Sequence, residues 1–481
     1  MRFLLTCSAL AVATAAACVP FEDESAGAED VVEDTATPDT GGETDTSTGE
    51  DAGMDVTEDA GELEPWSAPG ACGDDTVFAY PVQFQGCDFT FDPPDWQRTQ
   101  RDLQVSCGEA TGDGAPQSVH LTYPSNDAAH AVGVLWMTDY ETRAGDVQYG
   151  TDPENLDRWQ RGITFSYDLV DGERRVHEAH LCGLQANTTY YYRAGTESAW
   201  SEVFTFTTAP EFGNDDAFTF AVTGDTRSPT QEMWGQALDD IEERGAQFLV
   251  FTGDAVDVGT IQAQWDVWWT QGTATADTDR LSSMPIMYAH GNHDFVGDPM
   301  WAMMAYPGDE QNYYVRFGNA LFIMLDDSGL IWTGQTVEED IRNFLREALD
   351  AHPDVTWRFV AHHKPIYSAS TNHGSTRQLQ DAWMPLYEEF GVDMVFNGHD
   401  HNYERSCPVR EERCVADGDG TVYLVAAGIG APLYNNGEDW WTVTSRKEPT
   451  YVIVDIDGNE LSMTTFDLFG TEVDTYSLTK D

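Results

Sequence analysis

The chain has 481 residues, a hydrophobic fraction of 41% and a formal net charge of −60, from 24 basic and 84 acidic residues. This length allows about two to four domains. A polyanion of this kind lacks the clustered Lys and Arg that contact phosphate backbones, so we expect no nucleic-acid partner. We attribute the charge to solubility or to a salty habitat.

The N-terminal segment MRFLLTCSALAVATAAAC has the pattern of an export signal. Arg2 precedes an apolar run, Leu4 to Ala13, that is too short to span a membrane as a helix. The small residues before Cys18 resemble a bacterial lipobox, whose cysteine is lipidated, although Ala15 stands where that motif prefers Leu. We expect residues 1–18 to be a signal peptide, and Cys18 to anchor an outer-membrane or cell-surface lipoprotein. A periplasmic or secreted protein is the other interpretation.

An acidic segment follows at residues 19–65, built from Asp, Glu, Thr, Gly and Ala with few large apolar side chains. Like charges repel along such a segment, and it has little apolar surface to bury. We therefore expect a disordered linker that holds the folded body away from the membrane.

Cysteine usage predicts disulfides, because six cysteines remain outside the signal and an exported chain favours their oxidation. Cys407 and Cys414 are close in sequence and are expected to bridge a loop. The other four allow three pairings, of which we expect Cys72–Cys87 and Cys107–Cys182. Three of these four cysteines lie in residues 66–115, a segment that we assign to no known module.

Two regions of different character make up the rest of the chain. Residues 116–210 contain short alternating or apolar runs separated by turn residues, which predicts a small all-β sandwich. Residues 215–481 alternate strands with helices, beginning with FTFAVTGD, QEMWGQALDDIEERGA and QFLVFTGD. This alternation indicates a layered α/β domain with crossover connections.

Polar residues able to bind metal follow the predicted strands of the second region. Loops at the carboxyl ends of strands are where ligands gather in such sheets. Carboxylates and neutral imidazoles are suitable ligands for Zn, Fe or Mn. We therefore expect a metal site formed by Asp225, Asp254, Asn292, His363, His399 and His401.

Five ordered blocks in this region resemble those of the calcineurin-like metallophosphoesterases, and more narrowly the purple acid phosphatases. Any one block alone would be weak, whereas five in order are specific. The blocks are GDTR at 224–227, GDAVD at 253–257, GNHD at 291–294, HHKPIY at 362–367 and GHDHNYER at 398–405. The resemblance implies a four-layer α-β-β-α core, preceded by a fibronectin-III-like sandwich as in the larger purple acid phosphatases.

The resemblance also implies a centre of two metal ions that share Asp254. Asp225 and His401 would complete the first ion, and Asn292, His363 and His399 the second. In the fourth block we choose His363 because it lies two residues before Pro365, as the family ligand does. His362 is the alternative. By the same resemblance, His293 would contact the phosphate or protonate the leaving group, and Asp294 would orient His293.

Two positions depart from the family pattern. Asp257 stands where the purple enzymes have a tyrosine ligand, so their violet colour is not expected. Arg227 stands where the wider family often has a histidine ligand, and an arginine cannot coordinate. Either Asp257 or water would replace the missing ligand, or the first ion would be lost. Arg227 would either clamp the substrate phosphate or pair with a neighbouring carboxylate.

We therefore expect an exported metal-dependent phosphoric ester hydrolase, acting on small phosphate monoesters in the manner of an acid phosphatase. Two metal ions would activate water and neutralise phosphoryl charge. A phosphodiesterase or nucleotidase on the same scaffold is the first alternative. A surface binding protein, its metal site impaired through Arg227 and Asp257, is the second. The sequence does not fix the oligomeric state.

Overall fold

An all-β region precedes a region of mixed strands and helices. The computed structural model describes residues 81–91, 102–103, 114–166, 174–227, 231–270, 280–294, 298–328 and 339–480. The predictions for the signal, Cys18, the acidic linker, Cys72 and Cys107 lie outside these residues. No helix within the described ranges is long and apolar enough to cross a membrane.

The all-β region is a pair of antiparallel sheets. Its strands arise from alternation of exposed and buried side chains. Along Thr189–Thr196, for example, Thr189 is exposed while Tyr190 and Tyr192 are buried. Between the sheets, buried Trp136 packs against Gly145 at the start of the second sheet. The strands are β1 Asp102–Leu103, β2 Gln117–Thr122, β3 Ala131–Asp139, β4 Asp146–Gly150, β5 Arg158–Arg161, β6 Ile163–Ser166, β7 Arg174–Cys182, β8 Thr189–Thr196, β9 Ala199–Trp200 and β10 Phe204–Thr207. Their orders are β1-β6-β7-β3-β2 and β10-β8-β4-β5, and β9 pairs with β8.

The region of mixed strands and helices contains a six-stranded and a seven-stranded sheet, packed face to face. Phenylalanines fill the space between them: the ring of Phe220 lies 5.0 Å from that of Phe322 and 5.3 Å from that of Phe359. The strands are β11 Phe218–Thr223, β12 Phe248–Phe251, β13 Ile286–Tyr288, β14 Tyr313–Phe317, β15 Ala320–Met324, β16 Trp357–Ala361, β17 Met394–Asn397, β18 Tyr403–Ser406, β19 Val409–Arg410, β20 Arg413–Cys414, β21 Val422–Ala426, β22 Thr442–Arg446, β23 Thr450–Asp457, β24 Glu460–Asp467 and β25 Glu472–Thr479. The orders of the two sheets are β13-β12-β11-β23-β24-β25 and β14-β15-β16-β17-β21-β18-β22.

Helices cover the outer faces of both sheets. In the first helix, Trp234, Ala237, Leu238 and Ile241 are buried, a helical spacing that gives one apolar stripe. The helices are α1 Glu232–Glu243, α2 Gln262–Trp269, α3 Asp298–Ala302, α4 Glu339–Asp350 and α5 Arg377–Phe390. The stripe of α1 packs on the first sheet, while α4 and α5 share a core with the second. The four-layer α-β-β-α core and the preceding β domain are thus confirmed.

Strand direction brings the predicted ligand loops to one edge of the core. Strands β11, β12 and β13 run parallel in the first sheet. Strands β15, β16, β17 and β21 run parallel in the second. Because the carboxyl ends of parallel strands meet at the same edge, the segments after β11, β12, β13, β16, β17 and β21 can converge.

The all-β region packs against the core beside α2. The ring of His120 stacks on Trp269 at 3.8 Å, and its Nε2 lies 2.7 Å from the carbonyl oxygen of Met303. Burial lowers the pKa of His120 to about 4, while its Nδ1 also lies 2.7 Å from the carbonyl oxygen of Ser118. The hydroxyl of Tyr192 donates to the carbonyl oxygen of Ser282 at 2.6 Å. These contacts fix the sandwich against the sheet that carries half of the ligand loops.

The disulfides correct one part of the sequence interpretation. Cys407 pairs with Cys414, as expected. Cys87 pairs with Cys182, at a Cα–Cα distance of 5.0 Å, so the expected Cys72–Cys87 and Cys107–Cys182 pairings are wrong. The segment 81–91 lies against the outer face of β7, which brings together two cysteines that are 95 residues apart.

Candidate metal centre

Three candidate ligands have a left-handed backbone immediately after their strands. The φ angles are 56° at Asp225, 58° at Asp254 and 68° at His399. Such angles are uncommon for residues other than glycine, and each costs about 1 kcal/mol or more. Strain of this kind persists where the surrounding structure fixes a functional side chain. The left-handed backbone turns these three side chains away from the strand direction and toward the edge at which the two sheets meet.

Glycines in the blocks allow the backbone to approach these carboxylates closely. A Cβ at Gly291 would collide with the carboxylate and backbone of Asp254. A Cβ at Gly398 would collide with the carboxylate of Asp225. The glycines of these two blocks are therefore required by contact with a ligand that another block supplies.

Two groups of metal-binding side chains share Asp254. One consists of Asp254, His363 and His399, and the other of Asp225, Asp254 and His401; within each group the ligand atoms lie within 4.8 Å of one another. Nε2 of His363 is 3.3 Å from Oδ2 of Asp254. Nε2 of His401 is 3.2 Å from Oδ1 of Asp225. A shared carboxylate between two such groups is the arrangement that a dinuclear centre requires.

Backbone carbonyls fix the orientation of the two imidazoles. Nδ1 of His363 donates to the carbonyl oxygen of Thr252 at 2.8 Å. Nδ1 of His401 donates to the carbonyl oxygen of Pro432, also at 2.8 Å. Since a carbonyl oxygen can only accept, Nδ1 carries a proton in both rings and Nε2 is the atom that can bind a metal ion.

Asn292 supplies the observation that best tests the fit of a metal ion. Its Oδ1 is buried and has no hydrogen-bond partner among the described residues. The residues on both sides of it contact Asp254: Gly291 packs against that carboxylate, and the backbone N–H of His293 donates to its Oδ1 at 2.8 Å. An unpaired buried amide oxygen is costly, whereas a cation would satisfy it. The residues present therefore fit a bound metal.

The electrostatics of the group around Asp254 favour a cation. Burial acts to raise the pKa of Asp254, but the positive charges of His363 and Arg227 outweigh it and hold this pKa below its usual range. Burial acts to lower the pKa of His363, but Asp254 outweighs it and raises this pKa. Burial and the charge of His363 hold the pKa of His399 well below its usual range. A metal ion at His363 must displace a proton, so its binding releases one.

Arg227 lies inside the centre, and its side chain is only 9% exposed. Its Nη1 donates to Nε2 of His293, and its Nη2 lies 3.0 Å from Nε2 of His401. Its nearest carboxylate contacts are longer: 3.7 Å from Nε to Asp254 and 3.7 Å from Nη1 to Asp257. The guanidinium is thus held mainly by imidazole nitrogens.

The structure corrects the role expected for Asp294. Nδ1 of His293 is 2.8 Å from the backbone carbonyl oxygen of Asp257, so it is this oxygen that orients the ring. Asp294 instead accepts the backbone N–H groups of Asp254, Ala255 and Gly291 and the hydroxyl of Tyr288. A fully buried carboxylate needs several donors, and the turns around it provide them. Asp294 therefore holds two ligand loops together.

Two side chains considered as possible ligands lie outside the groups described above. Asp257 is 66% exposed, and its carboxylate lies beside Arg227. His362 is fully buried and points to Asp327, with its Nδ1 3.3 Å from Oδ2 of that residue. The structure thus places His363, rather than His362, beside Asp254.

Two further residues at the centre escaped the sequence analysis. His373 stacks on His399 with ring centroids 4.1 Å apart, and its Nδ1 is 3.2 Å from Oδ1 of Asp400. Tyr434 stacks on His401 at the same centroid distance, 4.1 Å. Tyr434 lies eight residues beyond the end of the parallel strand β21, too far for the rule of strand ends to mark it. His373 lies in a polar loop with no pattern to mark it.

Comparisons with known proteins agree with this geometry. Residues 116–208 match the purple acid phosphatase N-terminal domain, and residues 218–403 match the calcineurin-like phosphoesterase domain. A phosphoenolpyruvate phosphatase of Allium cepa is 26% identical, over 72% of this chain and 70% of its own. The Fe(3+)-Zn(2+) purple acid phosphatase 12 of Arabidopsis thaliana is 24% identical over 74% of both. The solved purple acid phosphatase PPD1 from Lupinus luteus seeds superimposes with a TM-score of 0.65 at 20% identity, over 76% of this chain and 75% of its own.

Proposed function

The chain is a purple acid phosphatase-like metallophosphoesterase of the calcineurin type, and we propose that it hydrolyses phosphate monoesters at a dinuclear metal centre. The observation that carries this proposal is the pair of ligand groups sharing Asp254, each with its ligand atoms within 4.8 Å of one another. Five ordered sequence blocks and two matching domains support it. Small phosphate esters are the corresponding substrates.

The residues that would hold the metals differ between the two positions. Asp225 and His401 would hold the first with Asp254, and Asn292, His363 and His399 would hold the second with Asp254. Bound Fe, Zn or Mn ions would act as Lewis acids on a phosphoryl oxygen and offset its negative charge. The Arabidopsis relative is named for Fe(3+) and Zn(2+). Because Asp257 replaces a tyrosine, we expect a preparation without violet colour.

The chain's own residues supply orientation and a proton-carrying group. Thr252 and Pro432 hold the imidazoles of His363 and His401 with Nε2 toward the carboxylates. His373 is 43% exposed and donates from Nδ1 to Asp400, which leaves Nε2 as the atom able to exchange a proton with a departing alcohol. Since the formal charge of the chain is −60, cations at the centre are also needed to attract a phosphate ester.

Turnover and metal content of the purified protein test this function together. We expect about two ions per chain, turnover of an aryl phosphate monoester, loss of activity with a chelator and recovery when metal is returned. His399→Ala should lose metal and activity, whereas the control His352→Ala should keep both. One ion or none without turnover would favour a binding protein. Faster turnover of an aryl diester than of the monoester would favour a phosphodiesterase.

We also propose export with a lipid anchor at Cys18. The support is the sequence of residues 1–18 alone: a short positive start, an apolar run and small residues before the cysteine. Mass spectrometry of the mature N-terminus from a membrane fraction tests it. A lipid-modified Cys18 that is lost in Cys18→Ser is expected, and an unmodified secreted protein would overturn it.

A further inference from the structure

Arg227 is a buried cation whose two carboxylate contacts are ion pairs without a hydrogen bond. Its two shortest contacts are with the ring nitrogens of His293 and His401. The carboxylates of Asp254 and Asp257 lie at 3.7 Å, beyond hydrogen-bond distance. Its Nε has no hydrogen-bond partner among the described residues. The expected pairing with a neighbouring carboxylate is thus present as two ion pairs at 3.7 Å, but these leave the hydrogen-bonding capacity of the guanidinium unused.

The hydrogen bond from Arg227 uses the atom that a metal ion would need. A neutral imidazole has one acceptor nitrogen, and at His401 this is Nε2, because Nδ1 donates to Pro432. Nε2 of His401 belongs to the ligand group that contains Asp225 and Asp254. One lone pair cannot serve a metal ion and an N–H donor together. A metal ion at His401 would thus release Nη2 of Arg227.

We propose that Arg227 determines substrate specificity: once released from His401, it binds non-bridging oxygens of the phosphoryl group. This inference rests on the proposed function. The planar guanidinium can then donate to two oxygens of one phosphate, the geometry in which arginine binds phosphate most strongly. Metal binding and substrate recognition are in this way coupled through one nitrogen of His401.

The surroundings hold the guanidinium at the centre while it changes partner. His293 accepts from Nη1 and donates from Nδ1 to the carbonyl oxygen of Asp257, so one contact remains when His401 is occupied. Tyr434, stacked on His401, lies close enough to Arg227 for the guanidinium charge to act on its hydroxyl. Lys364 is not equivalent, because its ammonium group donates to the carbonyl oxygen of Asp327.

Charge and oxygen count define the substrate class that this arrangement selects. A monoester has two negative charges and three non-bridging oxygens, whereas a diester has one charge and two such oxygens. If the metal ions bind some of these non-bridging oxygens, a monoester still offers oxygens to both Nη groups of Arg227. We therefore expect Arg227 to favour monoesters over diesters. It should lower the binding free energy of a monoester more than that of a diester.

The test compares Arg227→Met and Arg227→Lys with the wild type, using an aryl monoester, an aryl diester and inorganic phosphate. We expect Arg227→Met to lower kcat/KM for the monoester by about 100-fold and for the diester by less than about 5-fold, since removing one positioned donor has effects of this size. Phosphate affinity, measured by calorimetry, should fall at least about 10-fold. Arg227→Lys should lie between, because it keeps the charge without the two-pronged geometry.

Other readouts separate this role from a structural one. The control Arg346→Met removes an arginine from a surface ion pair with Glu389 and should change none of these quantities. Equal losses on monoester and diester, or unchanged phosphate affinity, would overturn the proposal. So would an Arg227→Met protein that binds more metal ions than the wild type when both are saturated with metal, since Arg227 would then occupy a metal position. A wild type that binds metal and phosphate without turnover would contradict the proposed function, while phosphate affinity would still test Arg227.

Discussion

The two halves of the centre are built differently, although they share Asp254. The half that we assign to His363, His399 and Asn292 includes a buried amide oxygen, that of Asn292, with no hydrogen-bond partner among the described residues, which suits a cation. Around Asp225 and His401, an arginine already donates to the ligand nitrogen. The first arrangement is preformed for a metal ion, whereas the second must exchange one cation for another. We therefore expect the two metal ions to bind with different affinities.

Asp254→Asn breaks both halves at once and should have the largest effect. Its carboxylate is the member common to both ligand groups, so its replacement by a neutral amide removes the negative charge between the two ions. We expect turnover to fall about 1,000-fold or more. This exceeds the ~10–100-fold loss that is typical when a residue that hydrogen-bonds to a metal ligand is replaced. Elemental analysis should show fewer than two ions per chain. Full metal content with normal turnover would show that Asp254 is not shared.

His373→Gln tests the half that contains His399 without removing a ligand. His373 stacks on His399 and is 43% exposed, so it can meet a substrate. We expect turnover to fall ~100-fold, the scale of general acid catalysis, while the metal content stays at the wild-type value. A leaving group of low pKa should reduce the loss, because it needs less protonation. An equal loss for all leaving groups would indicate a role in packing.

Stepwise removal of the metal ions with a chelator compares the two halves of the centre directly. Because Arg227 competes for His401, the ion held with Asp225 should leave at a lower chelator concentration than the ion held with His363. Replacing Arg227 with Met should remove this competitor and bring the two concentrations about tenfold closer, the effect expected for one charge-assisted hydrogen bond. Metal release followed by elemental analysis measures this. A single release step in the wild type would contradict the difference between the halves.

The grouping of Asp225, Asp254, His363, His399 and His401 could be predicted from the sequence, because each of them follows a strand in a recognisable block. The glycines of GNHD and GHDH are also understandable in retrospect, since Gly291 and Gly398 press against carboxylates from other blocks. The assignments that failed were those that depended on the path of a loop. The carboxylate of Asp294 was expected at His293, yet it accepts backbone N–H groups of two turns. Neighbours in sequence were mistaken for neighbours in space.

The same limit explains the missed aromatic and histidine residues. His373 and Tyr434 reach the centre from loops without periodic patterns, and only the fold brings them onto His399 and His401. The fold class itself was accessible, because alternation of strands and helices fixes the layers before any loop is placed. Local patterns thus predict elements and strand ends, whereas contacts between loops require the assembled sheets.

Breaking the Cys87–Cys182 disulfide should change stability and leave both halves of the centre as they are. The bond joins the segment 81–91 to β7, where Phe84 packs on buried His180 at 4.2 Å. Because it closes a loop spanning 95 residues, its removal in Cys87→Ser with Cys182→Ser should cost about 2–5 kcal/mol of unfolding free energy. Thermal unfolding measures this loss, and Cys407→Ser with Cys414→Ser serves as a comparison because that loop spans 7 residues. The two-step metal release should persist below the lowered Tm. Its loss in the folded variant would show that the sandwich helps to shape the centre, and the difference between the halves could then no longer be assigned to Arg227 alone.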